Sequence, residues 1–130
     1  MSEKNRTPSE MDRLPPMTHY VLGLLRQAPV VPQRTEEEAA DLQEAHLTHL
    51  RRLRETGELI AVGPVEEEGV LRGILVFRTE DISRARELMK TDPLVGGGYL
   101  VLDLYTWFAP AGLAVSNPSG STTDLSFESD

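Results

Sequence analysis

Thr35-Glu36-Glu37-Glu38 is a capping box. The threonine hydroxyl can accept from the amide three residues on, and the glutamate at that position can reach back to the threonine amide. Acidic residues in a first turn also suit the helix dipole. The helix opened here is expected to run to about Glu55, with Gly57 as the left-handed stop. A helix with both ends written so firmly constrains the rest of the chain. Every other element must be arranged against its one apolar stripe.

Strand signals flank it. Thr18 to Arg26 is apolar and bounded by prolines. Glu58 to Val65 carries Leu59-Ile60-Ala61-Val62 and ends at Gly63-Pro64, and Glu66-Glu67-Glu68-Gly69 is a solvated hairpin tip leading into a strand from Val70 to Arg78. Thr79-Glu80-Asp81 caps a second helix with Ile82, Ala85, Leu88 and Met89 at helical spacing, and Pro93 is expected to end it. Gly96-Gly97-Gly98 is a loop before a last strand, Tyr99 to Phe108. The order is strand, helix, strand, strand, helix, strand. Right-handed crossovers turn that order into a ferredoxin-like βαββαβ fold of class α+β: a four-stranded antiparallel sheet with two helices on one face.

That fold leaves one sheet face without helices. The strands are apolar at both parities: Val21 and Leu25 alternate with Leu22 and Leu24, and Leu75 and Phe77 with Ile74 and Val76. Only one parity can meet the helices. The other would expose an apolar patch, which a symmetric partner sheet could cover. A homodimer of the α/β-barrel kind is therefore expected, with Trp107 and Phe108 in its core.

Length and composition bound the function. A chain of 130 residues is one domain by the usual size. It divides into a polar, disordered leader over 1–16, a folded unit over 17–109 and a flexible tail over 110–130, where Leu113-Ala114-Val115 could add a short strand. With no cysteine, disulfides, thiolate nucleophiles and thiolate metal sites are excluded. A net charge of -8 argues against nucleic acid, which needs a basic face. Arg51, Arg52 and Arg54 are the one dense basic cluster, and near a helix C-terminus they complement the dipole. No apolar run reaches the roughly 18 residues that would span a membrane, and no signal-peptide apolar region follows Met1. A cytoplasmic location is expected.

His46 is the residue with chemical potential. At about 100° per residue with His46 as zero, Ala39 falls at about +20°, Leu50 at about +40°, Leu42 at about -40° and Leu53 at about -20°. The apolar stripe is centred on the histidine, so its ring belongs between helix and sheet. There it is either a neutral core residue bonded to a carbonyl or the proton-transfer group of a pocket. His49 lies at the stripe's edge. A histidine pair at i, i+3 can ligate a metal, but no carboxylate on that face completes a set, so no metal is expected. Asp92 is the candidate carboxylate partner, or simply turn chemistry before Pro93. Gly96-Gly97-Gly98 runs from helix to strand, the wrong direction for a phosphate-cradling loop. Asp103 shares a strand face with Tyr105 and Trp107 and reads as an edge charge. His19 has no evident role.

Together these residues resemble the YciI-like (YCII-related) family. The resemblance lies in Ala45-His46-Leu47-x-x-Leu50, in Gly57-Glu-Leu-Ile-Ala-Val-Gly63-Pro64, in the glycine-containing third strand Leu71-Arg-Gly73-Ile-Leu-Val-Phe77, and in Asp92-Pro93-Leu-Val-x-Gly-Gly-Tyr99-Leu100. It spans about 17–109, with order and spacing in agreement. The resemblance implies a dimeric α/β barrel and a pocket containing a His–Asp pair, here His46 and Asp92. His49, Gly63, Pro64, Gly97, Gly98 and Tyr99 are expected at the pocket. One enzymatic branch of the family looks like dehydrochlorinases acting on chlorinated hydroxyquinols, and the fold is shared with muconolactone isomerases. The chain departs from the family pattern at Gln43, where relatives often carry an arginine three residues before the histidine.

Three functions stay open at this stage. One is a lyase or isomerase without metal or organic cofactor, in which His46 is the acid/base and Asp92 orients it. Another is a small-ligand-binding or regulatory dimer without turnover. The last is an interaction role for the tail.

Overall fold

The computed structural model describes residues 15–113. The expected leader up to residue 14 and the tail from residue 114 lie outside the described residues. The elements run β1 (Met17–Gln27), α1 (Glu36–Thr56), β2 (Leu59–Pro64), β3 (Leu71–Phe77), α2 (Ile82–Met89), α3 (Pro93–Gly96) and β4 (Leu100–Pro110). The sheet order is β2-β3-β1-β4, antiparallel throughout. This is the expected ferredoxin-like sheet.

Helix α1 begins and ends where its caps dictate. Thr35 Oγ1 accepts from the Glu38 amide at 3.0 Å, and the Glu38 carboxylate accepts from the Thr35 amide at 2.9 Å. Gly57 closes the helix at φ 86°, and its amide returns to the last turn. Arg54, in that turn, donates to the Ile60 carbonyl. The helix buries His46, Leu47, Leu50 and Leu53.

The second helical segment differs from expectation. Helix α2 stops at Met89, and Asp92-Pro93 starts a further helical turn, α3, which takes in Gly96. Asp92 is extended, at φ -66° and ψ 130°, as a residue before proline must be. Pro93 then occupies the first helical position, where its missing N–H costs nothing. The dipeptide that breaks one helix thus begins the next.

Register determines which side chains meet the helices. Val21 lies opposite Phe77, Gly23 opposite Leu75 and Leu104, and Leu25 opposite Gly73 and Leu102. These positions face α1 and α2. They form a core with Leu50, Leu53, Leu59, Ala85 and Met89. Two irregularities interrupt the alternation. On β2, Leu59 pairs with Phe77 and Ala61 with Val76, so Ile60 is extra. Ile60 accordingly joins a second cluster, with Tyr20, Val76 and Ala109, while its neighbour Leu59 stays in the first. On β3, Arg26 faces Leu71 and Leu25 faces Gly73, which leaves Arg72 as the extra residue.

The helix-free face is apolar, as the parity argument requires. Cross-strand neighbours Leu22–Val76, Leu24–Ile74, Leu22–Tyr105 and Tyr20–Trp107 line it. Ile74, Tyr105 and Trp107 remain exposed on this protomer. Asp103, on the edge strand, accepts from Arg26 at 2.6 Å and raises the pKa of that guanidinium. Phe108 alternates onto the other face from Trp107 and stacks against His19, 4.8 Å between ring centroids. Among the described residues no helix is long and apolar enough to cross a membrane.

Candidate active site

His46 and Asp92 come together. Nδ1 of His46 lies 2.7 Å from Oδ1 of Asp92. Both are withdrawn from water, at 4% and 0% exposure, so the contact is not one that solvent screens away. The other carboxylate oxygen accepts from the amides of Leu94 and Val95, each at 3.1 Å. Those amides are the unpaired donors at the start of α3. The carboxylate is thus held by backbone on one side and presents its remaining oxygen to the imidazole. A carboxylate in its ionised form accepts at both oxygens, and an imidazole paired with it in this way donates through Nδ1.

His46 also lines a cavity of about 420 Å³. The space opens at one end of the sheet, where the end of β1 (Leu25, Gln27), the end of β2 (Pro64) and the start of β3 (Arg72, Gly73) meet Tyr99 and the start of β4 (Leu100). Helix α1 contributes Ala39, Gln43 and His46, one turn apart along its inner face, and α3 contributes Leu94. Val31 and Arg34 come from the segment joining β1 to α1. The size suits a small organic molecule. Leucine side chains interleaved with polar groups beside a buried histidine–carboxylate contact are an arrangement that can orient a ring and move a proton.

The sequence-derived site residues divide on placement. His46, Pro64 and Tyr99 line the cavity. Gly63, Gly97 and Gly98 do not, although Gly97 and Gly98 end the turn that delivers Tyr99. A Cβ on Gly97 would fall 2.6 Å from the Pro93 carbonyl oxygen and 2.9 Å from the Tyr99 ring, so only glycine allows that ring to lie against α3. His49 is turned away: its Nε2 meets the Leu88 carbonyl at 2.8 Å, tying α1 to α2. Among the described residues no three His, Cys, Asp or Glu side chains gather where they could hold a metal ion.

Arg34 and Arg72 are site residues that sequence reasoning missed. The Arg34 guanidinium lies 4.7 Å from the centroid of the Tyr99 ring, a cation–π contact. Its one sequence signal is its place directly before the N-cap of α1. Arg72 should point to the helix-free face by simple alternation with Ile74 and Val76. The bulge re-aims it, and bulges are not legible in a strand's own pattern.

Residues 21–107 match the YCII-related domain. The chain belongs to the YCII-related domain family. Among solved structures, this YCII-related domain is similar to 5-chloro-2-hydroxyhydroquinone dehydrochlorinase (TftG) from Burkholderia phenoliruptrix AC1100, in complex with 2,5-dihydroxybenzoquinone. The two share 17% identity with a TM-score of 0.48, over 69% of this chain and 93% of that one. No curated protein matches by sequence.

Proposed function

We propose that the cavity is the site of a cofactor-independent proton transfer on a small cyclic substrate, of the lyase or isomerase kind. The observation that supports this most directly is the buried 2.7 Å contact between His46 and Asp92 on the wall of an open cavity. Nδ1 faces Asp92, and Nε2 is the ring atom assigned to proton exchange in this reading. Asp92 orients the ring and stabilises the imidazolium formed when that nitrogen takes a proton, as carboxylates do in other His–Asp pairs. In an elimination, Nε2 removes a proton from a saturated carbon of the ring's keto tautomer, the C–H pair becomes a double bond, and chloride leaves from the adjacent saturated carbon. In an isomerisation, the same nitrogen returns its proton to another carbon of the conjugated anion. The family resemblance in Ala45-His46-Leu47 and Asp92-Pro93 supports the same assignment of roles.

We also propose that the working unit is a homodimer joined through the helix-free sheet face. Its support is the exposed apolar band of Ile74, Tyr105 and Trp107 beside Leu22 and Leu24.

The test of catalysis is incubation with chlorinated hydroxyquinols and with muconolactone in deuterated water, following chloride release and deuterium incorporation. His46→Ala should lower turnover by about 10²–10⁴-fold, the usual worth of a positioned acid/base. Its circular dichroism should stay native. Full activity in that variant removes the assignment. A ligand-induced rise in melting temperature with no turnover identifies a binding module instead.

A further inference from the structure

The charge of the cavity wall runs against the charge of the chain. The sequence holds 21 acidic residues to 13 basic ones. Yet the charged side chains lining the cavity are two arginines, and among the described residues that line it none is acidic. Asp92 lies behind His46 and is fully buried. Each arginine is also placed by a specific contact. Arg72 is the bulged residue of β3, turned out of the strand's alternation, and its guanidinium donates to the Gln27 side chain at 2.6 Å. Arg34 is held over the Tyr99 ring. Gln27 and Tyr99 are themselves cavity residues, so both contacts bring the cations to the exposed rim of the cavity.

Two arginines at the rim of a cavity lined by both polar and apolar groups, with no carboxylate among those lining residues, form an electrostatic site for an anion. We infer that Arg34 and Arg72 are specificity-determining residues which select a small organic anion, a carboxylate or phenolate carried on an apolar ring. The ring packs on Leu25, Leu94 and Leu100 while the anionic group meets the guanidinium pair. This rests on the proton-transfer reading above and adds the substrate class to it. An anionic anchor also fixes which ring carbon faces His46.

The experiment compares matched pairs that differ only in charge: salicylate with salicylamide, and benzoate with benzamide. Affinities are measured by calorimetry on the full chain at pH 7 and low salt, with amide chemical shifts mapping the site. Each anion should bind at least about 10-fold more tightly than its amide, the scale of charge-assisted hydrogen bonds. Arg34→Gln and Arg72→Gln should each weaken the anion by roughly 3- to 10-fold and leave the amide unchanged, and Arg72→Lys should retain part of the preference. Added salt should erode the preference. Shifts should centre on Gly73, Tyr99 and Leu100. Equal affinity for anion and amide overturns the inference. So does a lack of binding by either anion, a preference that survives both glutamine variants, or shifts that map elsewhere. His46→Gln separates this from the catalytic reading. An anion preference that persists in both wild type and His46→Gln, with no turnover in either, leaves the anion site standing and removes the proton transfer. Turnover without any charge preference does the reverse.

Discussion

The carboxylate of Asp92 and the imidazole of His46 meet at 2.7 Å across 46 residues of sequence. The acid reaches that position because it caps α3, and the histidine because it sits at the centre of the buried stripe of α1. A helix cap and the histidine's carboxylate neighbour are therefore one side chain. Any change to Asp92 acts on the cap and on the histidine contact together.

Asp92→Ala should destabilise the fold by about 2–4 kcal/mol, from a lost N-cap and a buried imidazole left without its acceptor. Asp92→Asn keeps a capping oxygen and should lose less, about 1–2 kcal/mol, while losing turnover as Asp92→Ala does. Urea unfolding of the two variants measures the difference. Equal stability of both with wild type would mean the pair holds nothing together.

Glu58 gives a pH dependence away from the site. It accepts from Arg84 and from Thr56, and the Arg84 contact above all holds its pKa below the ordinary 4.5. The unfolded chain therefore takes up this proton at higher pH than the folded one does. The stabilisation is fully present above the ordinary value and is lost as pH falls below it, through the folded value. Both side chains are partly exposed, so screening keeps the amplitude below about 1 kcal/mol. Thermal melts between pH 7 and pH 3 should fall less steeply for Glu58→Gln than for wild type. Parallel curves would contradict the assignment.

Gly97→Ala tests the close approach that delivers Tyr99. The new methyl would meet backbone oxygen of Pro93, which cannot rotate aside. A loss of about 1–3 kcal/mol is expected, as for other overpacked sites, with weaker ligand binding because the ring moves. A variant as stable as wild type, binding equally well, would show that the turn relaxes freely.

Ile74→Glu places a charge in the middle of the exposed apolar band of the sheet. Light scattering should show a dimer for wild type and a monomer for the variant, because a buried unpaired carboxylate is costly at an interface. A monomeric wild type at micromolar concentration would remove the proposed dimer.

The residues divide cleanly by what was legible. The capping box at Thr35, the stop at Gly57, the succession of elements along the chain and the central place of His46 in its stripe all depend on interactions within a few residues. They are therefore written in the sequence itself. The misread end of α2 is of the same local kind: Pro93 forbids continuation but equally favours a new start, and only the neighbours of Asp92 select the latter. His49 and Arg72 are different. Helical spacing places His49 beside the stripe, but the Leu88 carbonyl that it meets belongs to another helix. Strand alternation sends Arg72 to the wrong face, because a bulge exists only in relation to the partner strand.

The sequence by itself determined the boundaries of α1, the ferredoxin-like order of elements along the chain and the inward face of α1, since capping, chain stiffness and periodicity are short-range. Only the tertiary structure decided that Asp92 meets His46, that Arg34 and Arg72 ring the cavity, and that His49 stays out of it. Those relationships are distances between elements, and distances between elements are set by packing on a shared sheet.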